Sequence, residues 1–211
     1  IVIRRISSAL ALLWGIAHVD AETLVEKAYE AGQLDLGTAL LYQLQGMRDR
    51  TELPIAYRES MPHAFCGTPH VVHAVSALPH MDADYARRLG KLVQRRPSAD
   101  FSAVSPSGRF RVHYDTEGSE RVDPPDSNAN GVPDYVDLTM AVLDSVWVLQ
   151  IDQMGYSPPP EDGGVDGDEY DVYIVDLGRG GAYGFTYPER AGKTSSSYLE
   201  IDNDYANPIY Q

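Results

Sequence analysis

Seven apolar residues, Val132, Val136, Met140, Leu143, Trp147, Ile151 and Met154, recur at intervals of 4, 4, 3, 4, 4 and 3. An α-helix turns every 3.6 residues, so this spacing lays all seven along one stripe, and Gly155 ends it. A helix with one apolar stripe is stable only against another apolar layer. Strand-like segments on both sides of it supply that layer. Residues 109–114 alternate, with Phe110, Val112 and Tyr114 on one face. Residues 169–177, 182–187 and 197–202 read as three further strands, with a tight turn at 178–181. The order strand, loop, long helix and three strands predicts an α+β chain whose second half is a layered α/β unit.

The long helix is entered through Asp126-Ser-Asn-Ala-Asn-Gly-Val-Pro-Asp-Tyr-Val-Asp137. Asp126, Asn128, Asn130, Asp134 and Asp137 stand at positions 1, 3, 5, 9 and 12 of this stretch, with Gly131 at position 6. That is the spacing of an EF-hand-type calcium loop. Calcium takes roughly six to eight hard oxygen ligands, and a tight loop with alternate residues pointing inward supplies most of them. Gly131 makes the sharp turn and Val132 offers its backbone carbonyl. Position 12 is aspartate where such loops usually carry glutamate, and the shorter arm is less suited to bidentate coordination. The competing reading is a polar Asn/Gly turn that starts a helix.

Charge divides the chain unevenly. Residues 1–100 carry 11 Lys/Arg and 11 Asp/Glu, whereas residues 101–211 carry 6 and 20. The acidic half argues against a nucleic-acid partner, whose phosphates it would repel. It fits an extracellular calcium-binding protein or, more plainly, a solubilising surface. Residues 1–17 combine Arg4 and Arg5 with an apolar run too short to span a bilayer but suited to a signal peptide. Gly15-Ile-Ala17 or Val19-Asp-Ala21 would present small residues to a signal peptidase, and a buried core helix is the alternative. No other stretch is a candidate membrane span. The sequence does not begin with Met and is read as a piece of a longer gene product.

The domain reading is a signal peptide at 1–21, a helical pro-region at 22–97, a linker at 98–108, and a larger unit at 109–211. Within the pro-region, residues 21–31 place Leu24, Ala28 and Ala31 on one helix face and stop at Gly32. Residues 36–47 follow, with Leu40, Leu44 and Met47 in register. Residues 51–69 are interrupted by prolines and read as irregular. Asp82 is a natural N-cap for a helix over 83–95 carrying Tyr85, Leu89 and Leu92. Three short helices bury little area by themselves.

Other features carry less. Gly178-Arg-Gly-Gly-Ala-Tyr-Gly184 does not match G-x-G-x-x-G and reads as a hairpin turn. Asp162, Asp166, Asp168, Glu169 and Asp171 crowd one loop without a defined ligand spacing, so a solvated acidic loop is the simpler reading. His63, His70, His73 and His80 read as surface residues. His113 falls on the strand face opposite the apolar one and is assigned no role. No H-E-x-x-H, no G-x-S-x-G and no Ser/His/Asp arrangement occurs.

Several segments together resemble a bacterial family of secreted zinc metallopeptidases that carry a calcium loop and an H-E-x-x-H helix. They are Gly108-Arg-Phe-Arg-Val-His-Tyr-Asp115, Asn128-Ala-Asn-Gly-Val-Pro-Asp-Tyr-Val-Asp137, Met154-Gly-Tyr-Ser-Pro-Pro-Pro160, Asp171-Val-Tyr-Ile-Val-Asp-Leu177, Tyr183-Gly-Phe-Thr186 and Tyr198-Leu-Glu-Ile-Asp-Asn-Asp204. The likeness spans most of residues 105–205 and, more loosely, 34–69. It implies a zincin-like unit in which the strand ending in I-D-N-D leads into the zinc-binding helix. No catalytic residue is therefore expected among these 211. The resemblance implies peptide or protein as substrate, zinc as catalytic metal outside this sequence, and Ca2+ within it. Residues 182–187 would be the edge strand that pairs with an extended substrate, or an ordinary hairpin strand. Phe65-Cys-Gly-Thr-Pro-His70 is similar to the C-G-x-P core of the cysteine switch in matrix metalloproteinase propeptides. It lacks the Arg before the Cys and the Asp after the Pro. Cys66 would then be a zinc ligand of the latent form, against the alternative of a small hydrophobe in a turn. As the only cysteine it forms no disulfide within the sequence. The alternative function is a calcium-dependent extracellular binding or adhesion module without catalysis.

Overall fold

A computed structural model describes residues 23–59, 65–94, 96–164, 167–192 and 194–206. The signal-peptide reading, His63, Asp166 and the sequence after Ala206 lie outside the described residues. The chain is α+β. Helices α1 (Leu24–Glu30), α2 (Leu36–Arg48) and α3 (Ile55–Arg58) precede strand β1 (Phe65–Cys66), followed by α4 (Thr68–Ala77) and α5 (Ala83–Val93). Strands β2 (Phe101–Val104) and β3 (Phe110–Tyr114) lead to helix α6 (Asp134–Trp147). Strands β4 (Tyr170–Val175), β5 (Ala182–Pro188) and β6 (Ser197–Asp202) complete the order.

The helix starts follow local chemistry. Thr23 caps α1 in a reciprocal box, its hydroxyl accepting from the Glu26 N–H while the Glu26 carboxylate accepts from the Thr23 N–H. Asp35 and Asp82 cap α2 and α5 from one side only, Asp35 accepting from the Thr38 N–H and Asp82 from the Asp84 and Tyr85 N–H groups. Gly32, at φ 70°, ends α1 in the left-handed turn its sequence position predicts. The buried face of α1 is Val25 and Ala28, not the expected Leu24 and Ala31, both of which are exposed. Helix α3 arises within the 51–69 stretch expected to be irregular, and α4 begins at its end.

The strands form one six-stranded mixed sheet in the order β1-β5-β6-β4-β3-β2. Strands β3, β4 and β6 run parallel, β5 is antiparallel to β6, and β2 is antiparallel to β3. The turn at residues 178–181 forms as expected but does not close a hairpin, because β6 inserts between β4 and β5. Residues 98–108, expected to be a linker, contain β2, which lies beside β3 as an edge.

Both sheet faces are covered. Helix α6 packs Val136 and Met140 against Phe110, Val112, Val172 and Ile174. Asp144 ties it to the β2–β3 turn by accepting from the Ser105 hydroxyl at 2.8 Å and the Ser107 N–H at 3.0 Å. The apolar stripe of α6 fades at its C-terminal end. After Trp147 the chain widens into a π-helical turn over Val148–Gln153, which rotates the register and leaves Met154 exposed. On the opposite face Leu40, Leu44, Met47, Val71, Leu89 and Val93 join Tyr173, Phe185, Tyr187 and Tyr198 in one continuous core. The helices of residues 24–93 therefore share their hydrophobic cluster with the sheet.

Candidate metal centre and the outer edge of β5

The 126–137 loop closes on its own side chains. Asp126 accepts the Asn130 N–H at 3.1 Å and the Gly131 N–H at 2.9 Å on its two carboxylate oxygens, closing the turn around position 1. Gly131 has φ 86° and Ala129 φ 57°, so the chain reverses through two left-handed residues. The amides of Asn128 and Asn130 both reach the same Asp137 oxygen, at 2.8 and 2.9 Å. Positions 3, 5 and 12 thus meet at one point, while position 1 holds the backbone N–H groups of Asn130 and Gly131. Asp134 is the first residue of α6 and accepts from both the N–H and the hydroxyl of Ser127, at 2.8 and 2.6 Å. Those bonds hold its carboxyl below the usual range. Tyr135 donates to the Asp202 carbonyl at 2.7 Å, fastening the loop to the end of β6.

The donor set consists of Asp126, Asn128, Asn130 and Asp137 side-chain oxygens, the Val132 carbonyl, and Asp134 at position 9. These are hard oxygen ligands of the kind calcium takes. Of them Asn128, Asn130 and Asp137 meet, whereas Asp134 turns to Ser127, and the three aspartates do not cluster. Both amides turn their nitrogens to Asp137, while their oxygens accept the Asn130 N–H at 2.9 Å and the Val132 N–H at 2.7 Å. Zinc does not fit. Among the described residues no three His, Cys, Asp or Glu side chains cluster to hold a metal. No catalytic step through zinc is therefore assigned to this chain.

Cys66 lies elsewhere. It is exposed and sits on β1, which pairs parallel with β5 through Phe65↔Ala182 and Cys66↔Gly184. Its thiol faces the Thr68 hydroxyl at 3.3 Å. Immediately beyond, the Gly67 N–H donates to the Gly184 carbonyl at 3.1 Å, and the Thr186 N–H donates to the Thr68 hydroxyl at 2.9 Å. The expected edge strand β5 and the expected pro-region cysteine are brought together, but β5 is not a free edge. His70 and His73, read as surface residues, sit on α4 behind this contact. Burial, aided by the neighbouring His73 charge, pushes the His70 imidazole down to about 4.

Two polar clusters escaped the sequence reading. His113 is buried, with Nε2 2.7 Å from Asp171 and its ring stacked 4.4 Å from that of Tyr173. Asp171 also pairs with Arg96, which reaches Asp162 and Glu189 at 2.6 Å each. Arg48 of α2 donates at 2.6 Å to Glu200, a β6 carboxylate 1% exposed, and at 2.8 Å to the Tyr187 hydroxyl. Burial pushes the Glu200 carboxyl up, against the pull of Arg48. A signal was available in the sequence: Asp171 and Glu200 each interrupt an apolar strand run, and Asp202 ends one. In a sheet covered on both faces such positions are buried and require partners.

No protein-family model, no curated protein and no solved structure matches the chain. No helix among the described residues is long and apolar enough to cross a membrane.

Proposed function

We propose that this chain is the N-terminal portion of a secreted zinc metallopeptidase, stabilised by calcium in the 126–137 loop, that hydrolyses peptide bonds in its full-length form. The observation carrying the calcium half is the meeting of Asn128, Asn130 and Asp137 at one point. When bound, calcium would neutralise the mutual repulsion of Asp126, Asp134 and Asp137. The residues themselves fix the start of α6, while Tyr135 holds the loop to β6. Support for the peptidase half comes from the sequence resemblance and from the order strand, loop, helix and three strands. It is also supported by the reversal of β5 outside three parallel strands. A reversed strand at that place can receive an extended peptide by strand addition. Catalysis belongs to residues outside this sequence, which contains no H-E-x-x-H.

Calorimetric titration of calcium, with thermal melts before and after EDTA, tests the loop. A ligand bound only to the native state adds about 2.7 kcal/mol at a hundred times its dissociation constant. Chelation is expected to lower the melting temperature, and Asp126→Ala to abolish both binding and that dependence. An unmoved wild-type melt would reduce the loop to a helix-starting turn. Zinc-dependent, phenanthroline-sensitive peptide hydrolysis by the full-length protein tests the peptidase half. Its absence would leave the calcium-dependent binding module.

A further inference from the structure

We propose that strand β1, with the Gly67–Thr68 start of α4, is an exchangeable segment that holds the outer edge of β5 against extended peptides. The inference rests on the peptidase reading for its biological use, though not for its physical test. A strand edge presents unpaired N–H and C=O groups that another chain can complete. In this fold the groups of β5 are completed from within. Gly184 and Thr186 spend a carbonyl and an N–H on Gly67 and Thr68. Strand β1 has two residues and its register with β5 is irregular, so few hydrogen bonds hold it. A short pairing of this kind opens at lower free energy than the central strands.

The contact is closely fitted. A Cβ built on Gly67 would lie 2.0 Å from the Phe185 ring. The backbone of Gly67, at φ −78° and ψ −12°, is one any residue adopts. Glycine is therefore required by the neighbouring ring and not by the turn. Gly67→Val is a wedge aimed at this one contact. The same ring defines the peptide class that could replace the segment: a short extended stretch followed by glycine over Phe185, where the chain turns out of the strand.

The test uses a fluorescent peptide copying residues 62–70 with Cys66→Ser, added to the wild-type chain and to two variants. Gly67→Val displaces the internal strand. Thr68→Val removes only the hydroxyl that accepts the Thr186 N–H, and it keeps the test available should the first variant fail to fold. The expected result is peptide binding at least about tenfold tighter in the variants, with the Thr186 amide exchanging at least about tenfold faster and the β4 amides unchanged. Exchange that quickens equally across β4, β5 and β6, or variants that bind the peptide no better than wild type, would overturn the proposal. In the full-length protein, Gly67→Val is expected to raise peptide hydrolysis. Equal hydrolysis by wild type and variant would overturn strand exchange while sustaining the peptidase. Peptide binding without hydrolysis in either protein would overturn the peptidase and sustain the exchange.

Discussion

The two faces of the sheet are covered in different ways. One is closed by α6, a helix joined to its neighbouring strand β3 by the 126–137 loop and fitted to it by a regular stripe. The other is closed by helices from residues 24–93, which meet strands more than a hundred positions later in the chain. Arg48 pairs with Glu200 across the second face, and a Cβ on Gly180 would lie 1.6 Å from the Met47 carbonyl oxygen. The first face is assembled by local chemistry. The second depends on side chains and close approaches that no local stretch of sequence encodes.

The comparison can be broken by mutation. Leu89 is fully buried in the second-face core, and Leu89→Ala is expected to cost about 2–5 kcal/mol in chemical denaturation. A loss under about 1 kcal/mol would mean that the helical segment is only loosely attached. Arg48→Met leaves Glu200 buried without its cation. Losing one partner of a buried pair costs roughly 3–5 kcal/mol. Because the Arg48 side chain is 33% exposed, solvent screening brings the expected loss nearer about 2–3 kcal/mol. The double variant Arg48→Met, Glu200→Gln should recover part of it, and no recovery would show that the pair is not coupled.

Acidification also separates the faces. His70 is held neutral in the fold down to about pH 4, whereas it takes up a proton near pH 6.5 when unfolded. Between those values the unfolded chain binds the extra proton. The contribution is therefore fully present above the unfolded value and is lost as pH falls toward the folded one. Denaturation at pH 7 and pH 5 should differ by about 2 kcal/mol from this group, and His70→Gln should flatten that slope. Calcium removal sharpens the contrast from the other side. Chelation should speed hydrogen exchange at the start of α6 before it affects α4 or α5. Uniform loosening would show that the two faces do not respond separately.

Elements with strong local signals were legible in advance. The start of α5 follows from its capping Asp82 and those of α2 and α6 from apolar spacing, and β6 forms over the residues its alternation marks. The close approach of Asn128, Asn130 and Asp137 was legible because the loop is a contiguous device with fixed spacing. Strand β1 was not, since two residues carry no periodicity and the segment is extended only because β5 lies beside it. Helix α4 was hidden by Pro69 in its first turn, a position where proline is tolerated. His113 was given no role because alternation was taken to mean a solvated second face, and that face is covered.

The sequence by itself determined the α+β class, the long helix, and a loop in which Asn128, Asn130 and Asp137 meet once it turns. Each of these depends on residues within one or two turns of each other. The tertiary structure alone decided the strand order, the burial of His113 and Glu200, and the pairing of Phe65 and Cys66 with β5. Those features depend on which distant surfaces come together, and a buried charge or a filled sheet edge has no local signature until its partner is in place.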